Sequence, residues 1–567
     1  MPRDPKTDME IIDQCRKDMA SWFSYFSINN AQFRKNLKFA SGNQWDDQVA
    51  QEYAANGKPT LVIDQINVHI KKMLGTQKKS KVEPVLIPTD SDTQQPENIE
   101  ILTGLMRRIN YNSDAILEYS KCYRNMLIGG WGVLKLRSDY ANSKTFDQEL
   151  IIEAEEDPTN TFFDPIAKSI DKTNGRFWGS FQILSKDEFE SIYPKSKIPT
   201  SSILPTESFP LLIHPEEKVV IILYYLKSFE DKTLIELSNG IDFKREVFTE
   251  DQQSVEQEYF AQMEAQGIPL LNIAPLQQTN KRKTHLTKIT CYKLTSEEIL
   301  ERYDWDTEMA PMVFMDGDSS LIEGRQLTKS FLEIARDAQL FYNFIISNIA
   351  YALKISHLEK FQMTPKQIEG FKEFYIYPEK TKGALLYNVD SEAPNPPPNL
   401  PPQEVSQSLF LAAKQAGDDI LKTLGMLDPV TGELPNVMSG VAMQRTIQDR
   451  NLVVLNFLEN LFNGIKYIAK ATLDLIPKIY DYDRTVSIIN ENNETKRVRI
   501  NTLDNQGNPK NNIQSLAESV NEVQVKVESS FEEQEETIIE IIMQLIGNPV
   551  IFPLIIDLLP DVLPLPL

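Results

Sequence analysis

Four histidines, His69, His214, His285 and His357, are the side chains best suited to move protons or bind a metal near neutral pH. None stands in HExxH or any other ligand spacing, so each is expected to be structural. Asp157, Asp164 and Asp171 recur at intervals of seven, which could mean paired carboxylates for acid–base work or a site for a hard cation. Asp157 and Asp164 each precede proline, however, and Asp-Pro pairs mark turns, so the structural reading is preferred. Cys15, Cys122 and Cys291 are far apart, lack CxxC spacing and are expected to be reduced, buried packing residues. No GxxxxGK[ST] loop is present to cradle a nucleotide phosphate. No catalytic residue, metal site or cofactor is expected, and the chain is not expected to be an enzyme.

The elements that hold these residues belong to a large chain. At 567 residues it is long enough for three or four units of about 150 residues each. Its 41% hydrophobic and 25% charged content is that of a folded globular protein. The first residues, MPRDPKTDMEIIDQCRK, have no apolar core with a cleavage site, so a cytoplasmic place of synthesis is expected. A net charge of −22 argues against tight wrapping of nucleic acid, which needs clustered Lys and Arg. It is compatible with a conduit whose walls repel the phosphate backbone, and equally with an acidic solvated surface.

Residues 1–320 alternate short helix and strand patterns. Residues 98–128 read as one helix closed by Gly129 and Gly130, strands are expected around Trp131–Leu136, Glu149–Glu153 and Val219–Tyr225, and the Gln-rich stretch 249–283 reads as an excursion. From Ser320 an apolar repeat through Leu327, Phe331, Ala335, Ala338, Phe341, Ile345, Ile349 and Leu353 predicts a long amphipathic helix over 321–356. Arg325, Lys329, Glu333, Arg336, Asp337 and Asn343 would form its wet face. A single such helix cannot bury its own stripe.

A small α/β knob is expected at 357–402. In it HLEKF is strand-like, Thr364 caps a helix beginning at Pro365 with Gln367 completing a capping box, GALLYNV at 383–389 reads as a strand, and NPPPNLPP is a stiff linker. A returning antiparallel helix follows at 403–424, then a loop at 425–440. A third helix is expected over 441–480, where about 38 residues reach roughly 57 Å. Residues 481–531 read as a β-hairpin and a further strand. The apolar tail from Thr537, within 532–567, is broken by prolines and polar residues and has no uninterrupted membrane-length run, so short helices packed on a partner are expected, not a membrane anchor.

Several strings resemble the portal proteins of short-tailed double-stranded-DNA bacteriophages: FASGNQWDDQV at 39–49, GKPTLVIDQINVHIKKMLGTQKKSKVEPVLIP at 57–88, Phe163-Asp164-Pro165 with Asp171, SGVAMQRTIQDRN, and LDLIPKIYDYDRTVSII. The resemblance covers about 25–531 and implies an α+β portal fold. In it 1–320 and 481–531 form the wing, 321–356 and 403–424 the stem, 357–402 the clip, 425–440 the tunnel loop and 441–480 the long wing helix. It also implies a homo-oligomeric ring, commonly twelve-fold, at one capsid vertex of the virion, assembled in the host cytoplasm. Double-stranded DNA would pass through it in packaging and ejection, and the terminase large subunit, capsid and scaffolding proteins, and a tail adaptor would be its partners. Relatives usually carry a further C-terminal crown with a helical barrel, here expected to be absent or cut short.

On that resemblance, weak phosphate contact falls to Arg445, Arg450, Lys414 and Lys422, pressure on the duplex to Leu427, Val430 and Leu434 in the loop, and terminase or adaptor docking to Lys366, Glu369, Lys372 and Glu373. Stem contacts between subunits fall to Phe331, Phe341, Ile345, Leu409 and Ile420. The rival readings are a head–tail connector without motor docking, a carboxylate-dependent hydrolase built on the Asp-rich body, and a membrane-associated scaffold using the tail.

Overall fold

The computed structural model describes residues 7–79, 81–88, 96–199, 218–240, 243–265, 273–356, 360–376, 385–400, 405–425, 452–489, 495–503, 509–510, 513 and 520–528. Four helices open the chain: α1 (Asp8–Tyr25), α2 (Ser27–Ala40), α3 (Asp47–Ala55) and α4 (Ile66–Lys79). Strand β1 (Lys81–Pro88) precedes α5 (Pro96–Asn112) and α6 (Ala115–Gly129). The single helix expected over 98–128 is thus two, because Asp114 takes a left-handed conformation (φ 48°) while the Ser113 hydroxyl accepts the Ile152 N–H. Gly130, at φ 95°, ends α6 as anticipated.

Two sheets form the body. Strands β2 (Trp131–Tyr140) and β3 (Gln148–Ala154) begin the first, and β4 (Thr161–Phe163), β5 (Phe177–Ser185) and, after α7 (Lys186–Ile192), β6 (Lys218–Ser238) begin the second. β7 (Lys244–Phe248), α8 (Gln252–Ala265), β8 (Gln277–Leu294) and β9 (Ile299–Trp305) follow, giving the order β4-β5-β6-β8-β9 with β7 on β6. β10 (Met312–Asp316) completes the first sheet as β10-β2-β3. The Gln-rich excursion is an arm: β6 and β8 run on past the sheet, and Ile235, Leu237, Val247 and Val255 form a small core of its own.

Trp22, Phe26, Phe33, Trp131, Phe163 and Phe314 join the opening helices to both sheets, with Trp22 stacked on Phe26 at 4.4 Å and Trp131 on Phe314 at 5.2 Å. Such ring pairs add about 1 kcal/mol each beyond area burial.

Hairpin β11 (Asp318–Ile322) and β12 (Arg325–Lys329) then occupies residues expected to be helix. Glu323 and Gly324, both at positive φ, make its two-residue turn. The long helix α9 (Phe331–Ser356) begins only after Ser330, whose hydroxyl accepts the Glu333 N–H. Leu327, Arg325 and Lys329 therefore lie on a strand, not on the helix.

Beyond α9 are β13 (Lys360–Phe361), α10 (Pro365–Ile368), α11 (Lys372–Ile376) and β14 (Asn399–Leu400), which pairs antiparallel with β13. The Thr364–Gln367 capping box forms. The helix expected to run to Tyr375 is broken at Gly370 (φ 79°), and residues 385–389 of the strand expected at 383–389 are irregular. α12 (Gln407–Thr423) returns along α9, with Ala416 beside Ile345 and Ile349 and with Ile420 and Leu424 joining the main core near Ala335.

The third long helix, α13 (Leu452–Ile479), has 28 residues, about 42 Å. It lies close on β10 because Gly464 and Gly317 leave room for Met315 and Phe457, where a Cβ would come within 2.1 and 2.2 Å. Residues 441–451 lie outside the described residues. β15 (Arg484–Ile489) and β16 (Thr495–Ile500) form the expected hairpin, β17 (Thr502–Leu503) pairs with β18 (Pro509–Lys510), and β19 (Val520–Glu528) pairs with β1. The tail 532–567 lies outside the described residues. No described helix is long and apolar enough to cross a membrane.

Asn343, expected on the wet face of α9, is buried. With Gln339 and Ser347 it forms a polar stripe at four-residue spacing that receives residues 61–65 as a strap: Leu61 N–H donates to Ser347 Oγ (2.9 Å), Ile63 N–H to Asn343 Oδ1 (3.1 Å) and Gln65 N–H to Gln339 Oε1 (3.0 Å). Gln339 Nε2 donates back to the Ile63 carbonyl at 2.7 Å. Asn343→Leu leaves the Ile63 N–H and the Gln44 amide oxygen without partners and should lower unfolding stability by about 2 kcal/mol in urea denaturation. Unchanged stability would show that the strap is held by something else.

Candidate functional site

The α9–α12 pair has three kinds of surface, set by spacing alone. At about 100° per residue, Gln339, Asn343 and Ser347 point to the strap, Ala335, Tyr342, Ile345 and Ile349 to α12, and Leu340, Phe341 and Phe344 to the remaining side. That third side is open: Phe341 is 53% exposed and Phe344 46%. On α12, Phe410 and Leu411 are exposed at 49% and 68% while Ala416 and Ile420 are buried. The strap adds Leu61, Val62 and Ile63, all partly exposed, on the side of α9 next to Leu340 and Phe344.

This layout redistributes the residues expected at subunit contacts. Phe331, Ile345 and Ile420 are buried inside this chain, and Leu409 is half-buried against α9, so of the five only Phe341 faces outward. Leu340, Phe344, Phe410 and Leu411, which were not singled out from the sequence, are exposed as well; their offset from the main stripe was the available signal. Lys414 is exposed, and Lys422, also exposed, pairs with Asp419 at 3.6 Å. Arg445, Arg450, Leu427, Val430 and Leu434 lie outside the described residues.

At the far end of the helical pair, Lys366, Glu369, Lys372 and Glu373 are exposed but sit on two short helices joined through Gly370. Lys366 lies 3.8 Å from Asp390, and the Glu369 carbonyl accepts the Asn388 amide at 2.6 Å. Gln367 is buried and donates to the Ala393 and Asn395 carbonyls, fastening the proline segment to α10.

Residues 16–565 match the phage P22-like portal protein family. The chain belongs to that family. It is also similar to a portal protein of Acyrthosiphon pisum secondary endosymbiont phage 1, at 21% identity over 467 residues, which cover 79% of this chain and 63% of that relative. The chain thus spans less than two thirds of the length of the curated relative it matches.

In this portal-family chain the 39–49 and 57–88 strings supply the strap and its neighbours: Trp45 Nε1 donates to the Leu61 carbonyl, and Asn67 Nδ2 to the Ala40 carbonyl. The three aspartates are separated turn formers. Asp157 accepts from Thr159, Asp171 from Thr173, and Asp164 from the Ile166 and Arg176 N–H groups and from Arg176 Nε at 2.8 Å. No group of three or more His, Cys, Asp or Glu placed to hold a metal occurs among the described residues. The cysteines are free and buried, and burial raises each thiol, Cys291 to about 12. His285 pairs with Asp231 on the exposed arm, whereas His214 and His357 lie outside the described residues.

Burial works to raise the Asp164 carboxyl, but the Arg176 guanidinium and two backbone N–H groups outweigh it and hold the group below its ordinary value. A depressed carboxylate contributes stability that is present above its ordinary value and lost as pH falls through the folded one. Asp164→Asn should therefore cost about 2 kcal/mol at neutral pH and flatten the acid limb of the stability curve, measured by urea denaturation across pH. An unchanged acid limb would remove Asp164 from the account.

Proposed function

We propose that the chain is the ring-forming subunit of a phage portal, a structural conduit and not an enzyme, resident at one vertex of the virion capsid. The family match over 16–565 carries this reading. Duplex DNA would pass through the ring during packaging and ejection, and the terminase large subunit, capsid and scaffolding proteins and a tail adaptor would dock on it. Residues 1–320 with 481–531 are assigned as wing, 321–356 and 403–424 as stem, 357–402 as clip, 425–440 as tunnel loop and 441–480 as the long wing helix. Hairpin β11–β12 then belongs at the base of the stem.

The open apolar faces of α9 and α12 support a ring. They differ from each other, so copies would join head to tail, and a head-to-tail contact that closes makes a ring. Each large apolar side chain removed from water contributes about 1.5–3 kcal/mol. About twelve copies is the number the family resemblance implies, and a stripe of helices could close at several counts. For passage, Arg445, Arg450, Lys414 and Lys422 are assigned weak phosphate contact, and Leu427, Val430 and Leu434 the loop edge. Lys366, Glu369, Lys372 and Glu373 are assigned to motor or adaptor docking.

Mass photometry of the full chain should show a closed oligomer. Phe341→Asp paired with Leu411→Asp should reduce it to monomers whose circular dichroism is unchanged, because both side chains are exposed in the single subunit. Assembly undiminished in the double variant would remove these faces from the interface, and a wild-type chain that stays monomeric at every concentration would contradict the ring.

A further inference from the structure

Helix α4 is a local exception to the chain's acidity. Between Asp64 and Glu83 the sequence has Lys71, Lys72, Lys78, Lys79 and Lys81 and no carboxylate, within a chain of net charge −22. The helix is amphipathic: Ile66, Ile70, Met73 and Gln77 are buried toward the body, and Gln77 accepts the Ser120 hydroxyl at 2.5 Å. Lys71, Lys72 and Lys78 are exposed on the opposite side. Elsewhere, exposed or half-exposed cations such as Arg137, Lys244 and Lys288 are held by Glu153, Glu236 and Asp304.

A groove of about 450 Å³ separates α4 from α12. Val68, His69 and Lys72 form one wall, Lys414, Gly417 and Leu421 the other, Tyr342 lies in the lining, and among the described residues no carboxylate lines it. Burial and then the charge of Lys72 hold the His69 imidazole below its ordinary value. Tyr342 is two residues from both Leu340 and Phe344, about 160° around α9, so the groove opens away from the apolar face of that helix.

We propose that this groove, together with the lysine face of α4, is a contact site for the phosphate backbone of duplex DNA in transit. The inference rests on the conduit reading and adds α4 to it. Lysine is the residue for such contact: a compact point charge on a flexible stem binds phosphate without a fixed bidentate geometry and lets it go. A protein partner is the weaker fit, since interface centres are depleted in lysine and favour arginine, and this stretch has five lysines and no arginine.

The test uses the assembled full chain and a fluorescein-labelled duplex of about 30 base pairs, titrated by anisotropy at several salt concentrations. Lys72→Gln with Lys414→Gln should leave rings intact by electron microscopy and weaken binding about tenfold at low salt, with the salt exponent smaller by about 0.9 for each phosphate no longer neutralised. Lys72→Arg with Lys414→Arg should retain binding. Lys144→Gln, in the exposed β2–β3 turn, should bind as wild type. Unchanged affinity in the glutamine pair, or no duplex binding by wild-type rings at low salt, overturns the proposal. Loss of rings in the glutamine pair overturns it too, by assigning these lysines to a neighbouring copy. Absence of rings in the wild type strikes the portal reading instead, and the effect of the glutamine pair on DNA binding then decides the site by itself.

Discussion

The buried amide stripe of α9 is the constraint around which the helical pair is organised. A helix that places Gln339, Asn343 and Ser347 on one face cannot bury that face against apolar side chains, because each unpartnered amide or hydroxyl would cost about 1–3 kcal/mol. The strap answers this with N–H groups at alternate residues, 61, 63 and 65, whose spacing along an extended chain matches one helical turn of the stripe. With one face given to the strap and one to α12, the side bearing Leu340, Phe341 and Phe344 is the one left uncovered among the described residues. Two of the five strings that suggested the family, 39–49 and 57–88, thus fix which face of α9 remains available.

The rest of the body serves to hold that helix at a fixed place. Ser330 caps α9 and also accepts from Asn36 of α2, while Asn29 bridges to the β12 backbone at Gln326 and Thr328, so the helix starts from a joint made of buried polar contacts. α13 is locked on β10 by the two glycine contacts and by Asn460, which donates to the Asp316 carbonyl at 3.0 Å. Both long helices therefore meet the same core, α13 over β10 and α9 through Phe331, which packs edge-on against Phe457.

Much of the element order could be read from residue types. The Thr364-Pro365-Gln367 cap, the Gly130 stop, the apolar stripe of α13 and the hairpin after 481 carried local signals that tertiary contacts did not override. The start of α9 was misplaced because Leu327 happens to continue the helical period, although Ser330-x-x-Glu333 and Glu323-Gly324 are cap and turn signals that mark the boundary. Asn343 looked like a solvent residue because its partner, a backbone N–H some 280 positions away, has no mark in the local pattern. For the same reason the sequence pointed to the strongest stripe, most of which the chain buries within itself, while the weaker offset one stays exposed.

Net acidity and the basic face of α4 are compatible. In the proposed conduit, a mostly negative wall would keep the backbone of DNA from adhering and sparse lysine contacts would limit how far it wanders, so that sequence-independent passage would rest on weak opposing terms. The most direct measurement of the central claim is electron microscopy of the purified full chain, read as end-on class averages. Closed rings with a central opening wide enough for duplex DNA are expected. Compact single subunits with no ring at any concentration would contradict it.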